Sequence, residues 1–159
     1  PLYSSAASDV YKRQAHEDAS FTTTWSIDLH RPDPENTRYF PGREFKATTD
    51  HVVIYPYPVP YRCLYSRNID NLFMAGRNIS VTHVALGTVR VMRTTGMMGE
   101  VVGMAASLCK KYQATPRDIY HYYLEELKSL MQKGVNKKGL PNNQRYNEGG
   151  RLNQIPKVK

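Results

Sequence analysis

Hydrophobic and polar positions divide the chain into short strand-like segments followed by longer helical ones. Residues 21–30 alternate strictly, with one apolar face: Trp25, Ile27 and Leu29. Such alternation predicts a half-buried β-strand. Residues 31–42 contain three prolines and predict a loop, because proline fixes φ and disfavours helix at the preceding residue. A second strand is predicted over residues 51–55.

Residues 55–61 place proline at every second position. Each proline removes an amide donor, so the segment should run extended along a sheet edge or across a surface, not inside a sheet. Its alternate side chains should share one side: Tyr55, Tyr57, Val59 and Tyr61. Two interpretations stay open, a packed surface strap and a rigid aromatic wall of a pocket.

Residues 69–75 predict a third strand, which ends at Gly76. The apolar run within it is typical of a strand buried on both faces. A long helix is predicted over residues 89–111, with three small residues four apart on one face: Gly99, Gly103 and Ser107. Glycine in a helix interior costs about 1 kcal/mol relative to alanine, so this face predicts close approach of another backbone or a ligand.

The last helix has local start and stop signals. Thr115 is the predicted N-cap, Pro116 the first helical residue, Asp118 the third, and Gly134 the terminator. Its predicted core stripe is Ile119, Tyr123, Leu127, Leu130 and Met131.

The two ends are expected to lie outside the fold. Residues 1–14 have no periodicity and resemble a translated sequencing-adapter or contig-end artefact, so we exclude them from the fold prediction. Residues 136–159 are predicted to form an irregular basic tail. They hold six Lys or Arg against one Glu, and this excess supplies most of the chain's net charge of +8. Residues 15–135 carry only +2, so nucleic-acid binding is not expected.

Other composition signals exclude further classes. A chain of 159 residues is long enough for one domain with a core. No window approaches the ~18 consecutive apolar residues of a membrane-spanning helix. The two cysteines, Cys63 and Cys109, match no metal spacing, so no metal site is predicted; pairing and free thiols both stay open. The cellular compartment stays unassigned.

The order strand, glycine, loop, helix over residues 71–111 suggests a ligand site. Gly76 would let a flat ligand approach the main chain, and Arg77 would place a positive charge at the carboxyl end of the strand, where open α/β sheets bind ligands. The next helix would point its free amides and partial positive charge to the same place. Met97 and Met98 would pack softly against a ring system. A structural β–α unit without a ligand would show the same pattern.

The segment also resembles the C-terminal, flavin-contacting part of FAD-dependent oxidoreductases with the glutathione-reductase-type flavin fold. The wider likeness covers roughly residues 20–135. The matching residues are Asn71, Leu72, Ala75, Gly76, Arg77, Ile79, Ser80, Thr82, His83, Ala85, Gly87, Arg90, Met92, Gly96, Gly99 and Gly103.

The resemblance implies an α/β fold, FAD as the cofactor, and hydride transfer from a small-molecule substrate, with a sugar-like compound as one candidate. Residues 15–68 would be strands of a substrate domain and residues 69–113 the last strand and helix of a Rossmann-like FAD domain. Residues 114–135 would be a C-terminal helix.

The resemblance also implies site residues. The expected cofactor contacts are Ala75, Gly76, Arg77, Gly87, Arg90, Val91, Met92, Gly96, Met97 and Met98. His83 is the candidate proton relay and Arg62 the candidate anchor for an anionic or hydroxylated substrate. The residues alone leave structural roles open. These are a structural histidine at His83, surface ion pairs for Arg77 and Arg90, and a packing salt bridge for Arg62. Asp28 and His30 would form an acid–base or metal pair, or an interface hydrogen bond.

One part of the family pattern is absent: the sequence contains no G-x-G-x-x-G turn to hold a diphosphate. The chain would then correspond to the C-terminal quarter to third of such an enzyme. Its expected partner is the missing N-terminal half, and alone it should not hold FAD stoichiometrically. The alternatives are a carbohydrate-binding piece that uses Trp25 and the tyrosines, and a fragment without activity.

Overall fold

A computed structural model describes residues 16–23, 25–32, 47–54 and 57–134. These residues form a mixed α/β structure with four short strands and four helices. The strands are β1 (Ala19–Thr22), β2 (Ile27–Pro32), β3 (Ala47–Val52) and β4 (Pro58–Pro60). The helices are α1 (His83–Val89), α2 (Met92–Tyr112), α3 (Pro116–Tyr122) and α4 (Leu124–Lys133), and a 3-10 helix covers Tyr61–Leu64.

The first sheet pairs β1 with β4 in antiparallel orientation. The proline-rich segment therefore occupies a sheet edge, as predicted, because β4 has a single strand neighbour among the described residues. It is not a surface strap, however: Tyr57, Val59 and Tyr61 are all buried. A side-chain bond adds to the pairing of the two strands, since the Ser20 hydroxyl donates to the carbonyl of Val59 at 2.8 Å.

The second sheet is the antiparallel pair β2–β3. The single strand predicted over residues 21–30 is wrong, because β1 and β2 belong to different sheets. The alternation survives in β2, where Ile27 and Leu29 are buried, but Trp25 precedes the strand and is exposed. The strand predicted over residues 51–55 begins and ends earlier, as β3. The predicted loop of residues 31–42 lies largely outside the described residues, and its first two residues belong to β2.

The predicted doubly buried strand at residues 69–75 is also wrong. Only an isolated antiparallel bridge joins Phe73 to Tyr65. Leu72 is 40% exposed and Ala75 is exposed. The amide of Met74 donates to the carbonyl of Leu64 at 2.7 Å, but no second neighbour covers the run within the described residues. A continuous apolar run predicts burial only where elements lie on both sides of it.

The helix predicted over residues 89–111 is confirmed as α2, which begins at Met92, and a short helix that was not predicted, α1, precedes it. Thr82 caps α1 by accepting from the amide of Ala85 at 3.3 Å, and α1 ends before α2 begins at Met92. Helix α2 ends at Gln113, which has a left-handed φ of 51°.

The predicted N-cap at Thr115 is confirmed, and Thr115 forms a capping box with Asp118. The Asp118 carboxylate accepts from the amide of Thr115 and the Thr115 hydroxyl accepts from the amide of Asp118. The helix is interrupted at Tyr123 and continues as α4 to Gly134. Three residues of its predicted stripe are fully buried: Ile119, Leu127 and Met131. The other two, Tyr123 and Leu130, are partly buried.

One hydrophobic core joins β1, β4, the 3-10 helix and helices α2 to α4. Its largest fully buried side chains include Tyr61, Phe21, Leu64 and Met98. Among the described residues no helix is long and apolar enough to cross a membrane. The same residues contain no group of three His, Cys, Asp or Glu side chains placed to hold a metal ion. Residues 1–15 and 135–159 lie outside the described part of the chain.

Candidate functional site

The glycine loop at residues 75–77 lies against helix α2. Gly76 has a φ of 108°, a conformation that favours glycine, and its amide lies 3.3 Å from the Met98 sulfur. This contact holds the loop beside the second turn of α2. Arg77 follows in an exposed position and makes no hydrogen bond or ion pair with the described residues.

The N-terminus of α2 is uncapped. Val91 makes no side-chain capping bond, and the first turn holds no acidic residue. The first helical hydrogen bond runs from Thr95 to the carbonyl of Val91, so the amides of Met92 and Arg93 have no helical acceptor. Met92 is 91% exposed. This end of α2 therefore presents free donors and the positive end of a helix dipole.

One face of α2 consists of exposed small residues. A Cβ added at Gly96, Gly99 or Gly103 would meet nothing within 4 Å. The described part of the chain thus gives no packing reason for these glycines. Met97 and Met98, expected on the ligand side, lie instead in the hydrophobic core.

Three predicted site residues, His83, Gly87 and Arg90, line a narrow crevice beside Asp28. The close approach at Gly87 is to protein, because a Cβ there would lie 2.8 Å from the carbonyl oxygen of Asp28. Arg90 donates to the same carbonyl at 2.9 Å and lies 3.6 Å from the Asp28 carboxylate. His83 is exposed at the start of α1 without a hydrogen-bond partner in the described residues.

The Asp28–His30 pair is a contact within β2. His30 Nε2 lies 3.3 Å from the Asp28 carboxylate, and His30 Nδ1 lies 3.5 Å from the Thr49 hydroxyl on β3. Asp28 also contacts Arg90, the residue that follows α1. Asp28 therefore links β2 to the end of α1.

Arg62 is held by protein groups. Its guanidinium forms an ion pair with Asp18 at 3.1 Å and donates to the Tyr120 hydroxyl at 3.3 Å. The Asp18 side chain is fully buried and also accepts from the amide of Arg62. The arrangement matches the packing salt bridge that sequence reasoning left open for Arg62.

Arg62 also borders a cavity of about 580 Å³ between the loop after the 3-10 helix and α3. Sequence reasoning missed its other charged residues: Arg67, Arg117 and His121. Arg117 and His121 lie on one helix, but Arg67 is far from both in the chain, so no local signal brings the three together.

The buried titratable groups are poor nucleophiles. Burial raises the pKa of Cys63 to about 12, and burial also raises the pKa of Cys109. Neither cysteine forms a disulfide within the described residues. Burial raises the pKa of Tyr57 to about 12 although its hydroxyl lies 2.7 Å from that of Thr88. All three groups are protonated at neutral pH, so the described cysteines offer no thiolate for catalysis.

Comparison with known families identifies the class. The model of the FAD dependent oxidoreductase family matches residues 2–131, which is most of the chain. The chain therefore belongs to the FAD-dependent oxidoreductase family. No curated protein and no solved structure gives a significant match. The matched range includes most of the N-terminal segment that the sequence analysis set aside.

The described residues fit one side of a flavin. The first turn of α2 offers unpaired amide donors, its small-residue face has no neighbour, and Arg77 is unpaired among the described residues. Gly87 and Arg90 are engaged with Asp28, so the fit rests on residues 75–77 and on the start of α2.

Proposed function

We propose that this chain supplies one wall of the flavin pocket of an FAD-dependent oxidoreductase, within a Rossmann-like domain. The rest of the pocket, including the turn that holds the diphosphate, would come from a segment outside these 159 residues. Membership of the family supports the cofactor. The small-residue face of α2, which nothing in the described chain covers, supports the location.

The observation that carries the proposal is the contact between Gly76 and Met98. It joins the glycine loop to the only stretch of α2 that has both an uncapped N-terminus and exposed glycines among the described residues. A planar ring placed on the face of Gly96, Gly99 and Gly103 would meet backbone at these three positions. Helix glycines that weaken the isolated chain are explained if a ligand or backbone packs on them.

When bound, FAD would accept a hydride from the substrate. The amides of Met92 and Arg93 would donate hydrogen bonds toward negative charge on the ring, and the dipole of α2 would stabilise that charge. Arg77 would add a fixed positive charge at the edge of the loop. His83, exposed and without a hydrogen-bond partner among the described residues, would hold or release a proton on the substrate side.

A two-protein comparison tests this function. The 159-residue chain alone should bind no flavin that survives dialysis. The protein encoded by the same reading frame extended upstream should carry flavin at one per chain and pass electrons from its substrate to a dye. An extended protein that folds without flavin would refute the proposal, and so would a 159-residue chain that retains stoichiometric FAD.

A Tyr and Trp carbohydrate site was the alternative from sequence. Tyr57 and Tyr61 are buried in the core and Trp25 lies beside His51, at a ring-centroid distance of 6.2 Å. No described observation favours this alternative, so it is not carried further.

A further inference from the structure

We propose that the cavity beside α3, here called the arginine cavity, is a binding site for a small polar oxyanion. It is lined on one side by the loop after the 3-10 helix and on the other by α3, with Arg62, Arg67, Arg117 and His121 as its charged members. The ligand class is a carboxylate or phosphate group, alone or attached to a hydroxylated body. The site does not involve the flavin-facing residues and does not depend on the proposed oxidoreductase function.

The charge of the lining is one-sided. Three arginines and one histidine border the cavity, and none of its described lining residues is a carboxylate. Among the acidic residues on the adjoining elements, Glu17 accepts from the Tyr120 hydroxyl at 2.5 Å and Asp118 accepts from Thr115, while Asp70 is exposed and forms no ion pair with the described residues. Among the described residues, Asp18 forms an ion pair with Arg62 only. The positive charges of Arg67 and Arg117 therefore have no carboxylate partner among the described residues.

The two arginines are held close together. The Arg117 guanidinium donates to the backbone carbonyl of Arg67, which joins α3 to the loop. That bond uses one of the five N–H donors of Arg117 and leaves the others for a ligand. Arg67 and Arg117 line the same cavity, so an anion bound in it would be attracted to both positive charges. Guanidinium groups bind carboxylate and phosphate with two parallel hydrogen bonds, so the pair suits either anion.

The neutral lining adds donors for a hydroxylated ligand. Asn68, Asn78 and Ser80 face the same space as the arginines, and the Tyr120 ring lies 5.6 Å from the Arg62 guanidinium carbon. A volume of about 580 Å³ lies within the usual range for small-molecule pockets, and it is too large for a bare phosphate alone. The cavity therefore suits an anion that carries several hydroxyl groups better than an inorganic ion.

Isothermal titration of the 159-residue chain tests the site, with four probes at constant ionic strength and no flavin present. Inorganic phosphate and glucose 6-phosphate carry phosphate, and gluconate carries a carboxylate. Glucose is the neutral control. We expect saturable binding of at least one hydroxylated anion and none of glucose. The stronger of glucose 6-phosphate and gluconate identifies the preferred oxyanion, and weaker binding of inorganic phosphate supports recognition of the hydroxylated body.

Two variants locate the binding. Arg67→Gln removes an exposed charge that has no side-chain partner in the described chain and should weaken binding about tenfold, the effect of losing one charge-assisted hydrogen bond. Lys110→Gln removes one positive charge on α2, away from the cavity, and should leave binding unchanged. Circular dichroism verifies that both variants fold. Equal binding by both variants, or no saturable binding of any anion, would overturn the proposal.

Discussion

Gly87 and Asp28 bring α1 and β2 into backbone contact. A Cβ on residue 87 would lie 2.8 Å from the Asp28 carbonyl oxygen and 3.1 Å from its amide nitrogen. Both neighbours are backbone atoms, which cannot turn aside as a flexible side chain does. The glycine that the family pattern suggests for a cofactor thus has a packing role within the chain.

The first prediction follows from this contact. Gly87→Ala should lower the free energy of unfolding by about 1–3 kcal/mol, the usual cost of overpacking a buried site. Urea denaturation measures the change. Unchanged stability would show that β2 and α1 separate easily and that the contact is not a constraint on the fold.

Gly96→Ala is the matched control and a second prediction. The added Cβ meets nothing within 4 Å, so the gain in helix propensity should raise the free energy of unfolding by up to about 1 kcal/mol. The two Gly→Ala changes should therefore have opposite signs in the same urea assay. A loss of stability at residue 96 would mean that the isolated chain already packs something on the small-residue face of α2.

The buried carboxylate of Asp18 supports a third prediction. Asp18→Ala removes the buried carboxylate that pairs with the Arg62 guanidinium and accepts from the Arg62 amide, and it should cost about 3 kcal/mol, since breaking a buried ion pair is strongly destabilising. Asp18→Asn keeps an oxygen that can accept from the amide and should cost less. Equal losses for the two variants would indicate that the packing of Asp18, not its hydrogen bonds, stabilises the fold.

The capping box predicts how stability depends on acidity. Hydrogen bonds from the amide and the hydroxyl of Thr115 lower the pKa of Asp118 below its ordinary value of 3.8. A lowered pKa stabilises the folded state above the unfolded value, and this contribution is lost as the pH falls through the folded value. As the pH falls below 4, the free energy of unfolding should therefore decrease less in Asp118→Asn than in the parent chain.

Asp70→Asn is the control for that measurement. Asp70 is exposed and has no hydrogen bond or ion pair with the described residues, so its replacement should leave the acid dependence of urea unfolding as in the parent chain. If Asp70→Asn and Asp118→Asn reduce the pH dependence of unfolding equally, the cause is the loss of any one negative charge and not the loss of the cap.

Local signals in the sequence predicted the helix ends well. Thr115, Pro116 and Asp118 act within one turn of each other, so their spacing alone specifies the cap. Proline likewise placed residues 58–60 at a sheet edge through a purely local effect. Such features need no knowledge of what packs against them.

Non-local contacts could not be predicted in this way. The run at residues 69–75 was expected to be a buried strand, but an apolar run does not reveal whether neighbouring strands exist to cover it. Gly87 looked like a ligand contact because its partner, Asp28, lies far earlier in the chain. Arg67 and Arg117 meet only through the fold, which is why the arginine cavity has no sequence signature.

The proposed flavin wall is tested most directly by a bulky residue on the small-residue face of α2. In the upstream-extended protein, Gly96→Leu should abolish retention of flavin after dialysis while leaving the fold intact, because the isolated chain has open space there. Lys110→Leu is the control: it lies about 20 Å farther along the same helix at a rise of about 1.5 Å per residue and should retain flavin. The account predicts loss of flavin for Gly96→Leu alone. Full retention of flavin by a folded Gly96→Leu protein would contradict it.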